Sequence, residues 1–142
     1  MNDPQRERVD RYFVAYARRD RQAISDYFAE DVVWHVAGSH ALSGDYKGRE
    51  NVLDYLARSQ ALTEGTLTLE PVDVMSSDDH IALFVRVTGE RRGRRLDVEL
   101  LEVFKVAADG RWSEFWSMAD DQAQVDAFWA GVEDGGEVAA DG

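Results

Sequence analysis

HIALFVRVTGERRGRRLDVELLEVFKVAADGRWSEFWSMAD, residues 80–120, decides the fold of this chain. Three runs rich in β-branched and aromatic residues, HIALFVRVT, LDVELLEVFKV and RWSEFWSMA, are separated by GERRGRR and AADG, whose glycines and polar residues have turn chemistry. The runs predict three long strands joined as antiparallel hairpins. Just upstream, TLTLEPVDVM alternates on Leu67 and Leu69 and then on Val72 and Val74. The slip of one residue at Glu70 and Pro71 predicts a bulge in a fourth strand.

The first half of the chain has a different period. Val9, Tyr12, Phe13, Tyr16 and Ala17 form the stripe of an amphipathic helix. Asp20 is placed to N-cap a short second helix that turns Ile24, Tyr27 and Phe28 inward. A brief strand is expected over residues 32–36, then a loop carrying Gly38 and Gly44, then a third helix over 48–61 with Val52, Tyr55, Leu56 and Ser59 on one side. A last amphipathic segment holds Val125, Phe128 and Trp129. Helices first and sheet second is the α+β pattern: a curved, cone-shaped antiparallel sheet with helices on its concave face. Residues 1–130 are expected to form one domain, and the glycine-rich, acidic residues 131–142 a disordered tail.

Composition narrows the function. The 28 acidic against 16 basic side chains give a net charge of −12, a field that repels phosphate backbones and anionic lipid, so neither nucleic acid nor membrane is an expected partner. No cysteine is present, which removes disulfides and thiolate chemistry. With no apolar leader or span, a cytoplasmic location is expected. His35 and His40 are five residues apart, off the i, i+4 face of a helical zinc site and without an evident third ligand, so no metal is expected.

Strand alternation selects the candidate residues. Val98, Leu100, Phe104 and Val106 share an apolar face, and Glu102 stands among them. A carboxylate there is costly unless it meets a polar partner, an arginine, the rim of a cavity, or works inside one. On the last strand the alternation groups Trp112, Glu114, Trp116 and Met118 with Asp120, so aromatic neighbours would raise the Asp120 carboxyl into the range for proton shuttling. The same residue could equally N-cap the last helix. Leu101, Val103 and Phe115 fall on the opposite, outer face, where their exposure predicts a homodimer.

The order of elements, WHVAG in the first strand, GDYKGRE before the third helix, and Glu114, Trp116 and Asp120 at the end of the sheet resemble the SnoaL-like branch of the nuclear transport factor 2-like superfamily, over about residues 5–130. The resemblance implies the cone-shaped fold and a choice among isomerases, cyclases, hydrolases and plain binding modules. Against ketosteroid isomerases, Tyr12 and Glu102 match the oxyanion donors, while Val36 stands where the catalytic aspartate would be. Against SnoaL-type polyketide cyclases, Asp120 matches the acid/base aspartate and His35 a first-strand histidine. The expectation is therefore a metal-free, cofactor-free acid/base enzyme for a hydrophobic, carbonyl-bearing small molecule. Asp120, Glu102 and His35 would be catalytic, and Tyr12, Tyr16, Trp34, Val36 and Trp116 would line the site. A non-catalytic binding or dimerisation module on the same fold is the alternative, and His35 bonded to backbone or in a subunit contact is the plainer reading of that residue.

Overall fold

Helix α1, Pro4–Ala17, forms where the apolar stripe begins, and it buries Val9, Tyr12, Phe13, Ala15 and Tyr16. Ala17, expected inward, is exposed at its end. Asp20 caps α2, Arg21–Ser25, by accepting from the Ala23 N–H at 3.1 Å. The computed structural model describes residues 4–132. Strand β1, Phe28–Val36, begins earlier than its apolar run suggests, so that Phe28 opens a strand instead of closing a helix. It is followed by β2, Gly44–Lys47, which its glycine had marked as loop, and by α3, Arg49–Leu62. The remaining elements are β3, Thr68–Ser76, β4, His80–Arg91, β5, Arg94–Val106, β6, Trp112–Ala119, and α4, Gln122–Phe128.

The strands form one curved sheet in the order β2-β1-β6-β5-β4-β3. Every pairing is antiparallel except that of β1 with β6, which is parallel. The sheet is thus mixed, because one helix and four strands separate β1 from β6 and leave their relative direction free of any hairpin. β4 and β5 keep an unbroken register from His80↔Lys105 to Arg91↔Arg94. Their two-residue turn, Arg92 and Gly93, has positive φ at both positions, the geometry that matches the twist of a hairpin. The expected bulge in β3 falls between Pro71 and Asp73 and leaves Val72 exposed.

The buried side chains form a contiguous cluster that includes Val9, Phe28, Val52, Leu83, Phe104 and Trp112. One hairpin-tip arginine departs from the solvated role its neighbours suggest: Arg91 is 3 % exposed, and its guanidinium donates to the carbonyls of Phe128 and Ala130 at the end of α4. Helix α4 is thereby tied across the cavity end of the sheet. The acidic tail falls mostly on residues 133–142, outside the described residues; before them, Val132 is buried.

Candidate active site

The inward residues of β5, Phe104, Glu102, Leu100, Val98 and Leu96, run along the floor of a cavity that is open to solvent and holds about 90 Å³ of free space. Tyr12 and Tyr16 of α1 and Tyr55 and Leu56 of α3 roof it, and Gln122, Val125 and Trp129 bring α4 over one end. Trp34, Val36, Phe115 and Ser117 complete the wall. A second depression between α1, α2 and α3 has more free space, about 310 Å³. Its cations are already engaged, Arg19 with Gln60 and Gly65, and Arg21 with Glu50 and Asp54. The chemistry therefore gathers in the first cavity.

Glu102 is 5 % exposed, and no cation among the described residues faces it. Its cross-strand neighbour is Ser117, whose Oγ donates to Glu102 Oε2 at 2.7 Å. The indole N–H of Trp34 donates in turn to Ser117 Oγ at 2.8 Å. This chain of hydrogen bonds orients one carboxyl oxygen of a residue that lines the cavity, and Oε1 has no hydrogen-bond partner among the described residues. Burial in apolar surroundings pushes the Glu102 pKa up to about 7, and the Ser117 hydrogen bond only partly offsets it. Near neutrality the group is both a proton donor and a proton acceptor.

The tyrosines around it are held neutral. Desolvation, followed by the Glu102 charge, raises Tyr12 well above the usual phenol range. Desolvation pushes Tyr16 up to about 12, although the Gln60 amide donates to its oxygen at 2.6 Å. Burial raises Tyr55 as well. Neutral phenols keep their O–H for donation, the form needed to hold a carbonyl oxygen.

Glu102, Tyr12, Tyr16, Trp34 and Val36 come together as the alternation and the resemblance imply. Asp120, His35 and Trp116 do not. The cause is a bulge in β6: Trp112 pairs with Val106 and Glu114 with Lys105, leaving Ser113 extra. Past that point the phase inverts. Phe115, Ser117 and Ala119 point into the cavity, whereas Glu114, Trp116 and Met118 lie on the outer face, so Phe115 is a core residue at 3 % exposure and the aromatic wall around Asp120 does not form. Asp120 is exposed, accepts from the Glu99 N–H at 3.1 Å, and leaves the capping of α4 to Asp121, which accepts from Gln124 N–H.

His35 lies on the outer face, stacked on Trp116 with ring centroids 5.3 Å apart. Its Nε2 meets Glu114 and its Nδ1 meets Asp45, both at 2.7 Å. The Glu114 bond, then the Asp45 bond, raises its pKa and favours the imidazolium that donates to both. It fastens β2 to β1 and β6 by an ion pair. Among the described residues no three histidine or carboxylate side chains gather into a metal-binding group.

Ser117, Tyr55, His40 and Gln122 are among the cavity residues that the sequence pattern did not single out as such. Tyr55 was legible as the inward stripe of α3, but Ser117 becomes visible only once the β6 bulge is known.

Comparison with known proteins agrees with this fold. The SnoaL-like domain family matches residues 9–115. The uncharacterized protein Rv0034 of Mycobacterium tuberculosis is 34% identical over 130 residues, covering 91% of this chain and 98% of that protein. Bal32a, from a soil-derived mobile gene cassette, is 33% identical with a TM-score of 0.83, covering 87% of this chain and 94% of that one. A nuclear transport factor 2-like protein of Burkholderia pseudomallei superposes with a TM-score of 0.76 at 18% identity, over 92% of this chain and 100% of that one. At that identity the likeness is one of fold.

Proposed function

The chain belongs to the SnoaL-like domain family, and from that premise we propose that it is a metal-free, cofactor-free acid/base enzyme acting on a hydrophobic, carbonyl-bearing small molecule in the cytoplasm. The observation that carries this reading is Glu102: a carboxyl in an apolar cavity, oriented by Ser117 and Trp34, with its pKa near neutrality. In this mechanism the ionised form of Glu102 takes a proton from the carbon next to the substrate carbonyl. The electron pair moves onto the carbonyl oxygen, where a neutral phenol such as Tyr12 donates a hydrogen bond to it. The protonated Glu102 then returns its proton to carbon, which completes an isomerisation; in a ring closure the enolate carbon instead bonds to a second carbonyl carbon of the substrate, whose π electrons move to its oxygen, and Glu102 gives its proton to that alkoxide. Asp120, engaged with the Glu99 amide, takes no step.

A specific observation favours the second reading, a non-catalytic binding module. Glu102 is the only carboxyl among the described residues lining the cavity, and Val36 supplies no second base. Deuterium exchange separates the two. With cyclohexanone in D₂O, the protein is expected to speed exchange of the α-hydrogens, and Glu102→Gln to abolish the acceleration while the ketone still binds. Binding without accelerated exchange, by cyclohexanone and by larger cyclic ketones alike, establishes the binding-module reading.

A further inference from the structure

His40, four residues beyond Val36 at the end of β1, has a buried donor without an acceptor among the described residues. Its side chain is 1 % exposed. Nδ1 accepts from the Leu42 N–H at 3.1 Å, so the neutral ring carries its proton on Nε2. Nε2 has no hydrogen-bond partner among the described residues. The nearest carboxylate oxygen, Asp126 Oδ1, is 3.9 Å away, beyond hydrogen-bond reach. Asp126 is moreover already occupied: Oδ1 accepts from Ser39 N–H at 3.1 Å and from the Gln122 amide at 3.0 Å, and Oδ2 from Ser39 Oγ at 3.2 Å. A buried donor left unmade costs about 1–3 kcal/mol, so its persistence needs a reason.

The place of His40 in the cavity supplies one. Its loop is bound to α4 through Ser39 and Asp126, and α4 is bound to β5 where Gln124 accepts from the Asp97 N–H at 2.7 Å. His40 therefore belongs to the end of the cavity near Val98 and Leu100, whereas Glu102 lies toward the aromatic cluster of Phe104 and Trp112. Along β5 those positions are separated by two to four residues, about 7–13 Å. The walls between are apolar.

We infer that His40 is a ligand-binding residue whose Nε2–H holds a second oxygen of the ligand, so that the cavity takes a small ring compound carrying oxygen acceptors at both ends. This rests on the cavity being the ligand site and does not depend on turnover. A six-membered ring with para carbonyls, its oxygens roughly 5 Å apart and each extended by a hydrogen bond of ~2.8 Å, spans the interval. One oxygen meets the Glu102 and tyrosine pole, and the other meets His40.

The probes are cyclohexane-1,4-dione and cyclohexanone, titrated against the folded protein by NMR. The dione is expected to bind several-fold more tightly than the monoketone and to shift the His40 Nε2–H resonance downfield, which the monoketone does not. His40→Asn keeps an amide oxygen for the Leu42 N–H and removes the Nε2 arm; it should weaken the dione about five-fold, one neutral hydrogen bond, and leave cyclohexanone unchanged. His40→Gln restores a donor at the Nε2 position and should recover part of the preference. Equal dione affinity in the wild type and the Asn variant overturns the assignment of His40 while the ligand site stands. If neither ketone perturbs any cavity resonance, the ligand site itself is overturned. Intact dione preference without hydrogen exchange leaves His40 assigned and removes only the enzyme reading.

Discussion

Glu102 concentrates the physics of this protein in one residue. In an unfolded chain it titrates near 4.5, and in the fold at about 7. Between those values the folded chain keeps a proton that the unfolded chain has lost, so stability is full below pH 4.5 and falls as pH rises toward 7. The loss is on the order of 3 kcal/mol. Glu102→Gln keeps the shape and the bond from Ser117 while removing the ionisation. Its stability should match the wild type near pH 4.5 and exceed it by that amount at pH 8, as measured by urea denaturation at both. A variant less stable than the wild type at pH 8 would show that the carboxylate is bound in its charged form. The inward position of Glu102 was legible from alternation, yet its partner was not: Ser117 is opposite only because β6 is out of phase after Ser113.

At the scale of elements, α4 and the loop after β1 shape the His40 end of the cavity, and Gly38 permits their contact. It has φ +103°, and a Cβ there would run into the Gln122 amide and the Asp126 carboxylate. Gly44, at φ +129°, has open space around it. Both replacements by alanine incur the backbone strain of a positive φ, on the order of 1–2 kcal/mol. Gly38→Ala should lose at least about 1 kcal/mol more than Gly44→Ala and speed hydrogen exchange at the Ser39 amide. Equal losses in chemical denaturation would show that the loop and helix separate without cost. The glycines announced a loop in the sequence, but their unequal roles depend on α4, more than eighty residues away.

At the scale of the whole molecule, no element among the described residues covers the outer face of the sheet. Tyr12, Tyr55 and Trp129 show that α1, α3 and α4 all serve the inner side, and α2 packs against α1 and α3. Phe84, Leu101, Val103 and Trp116 are only half-buried on the outer side, and Met118 is 42 % exposed. A second copy of the chain is proposed to cover it, since a self-complementary apolar face is satisfied by a two-fold pairing. Sedimentation equilibrium at micromolar concentration should give a dimer, and Trp116→Glu a folded monomer. A wild-type monomer under those conditions removes the homodimer. No helix among the described residues is long and apolar enough to cross a membrane.

The sequence by itself determined the α+β class, the helical first half, the hairpins of residues 80–120 and the inward stripe that holds Tyr12, Tyr16 and Glu102. Those features are written in local periodicity and turn chemistry, which act between neighbours along the chain. Tertiary structure alone decided that β1 runs parallel to β6, that Trp116 and Phe115 exchange faces, and that His35 binds Asp45 and Glu114 outside the cavity. It also decided that His40 lines the cavity, buried beside Asp126 of α4. A one-residue bulge inverts every side chain beyond it, and a side chain's partner across the sheet is set by the closing of long loops. Neither leaves a mark in the spacing of residues along a single strand.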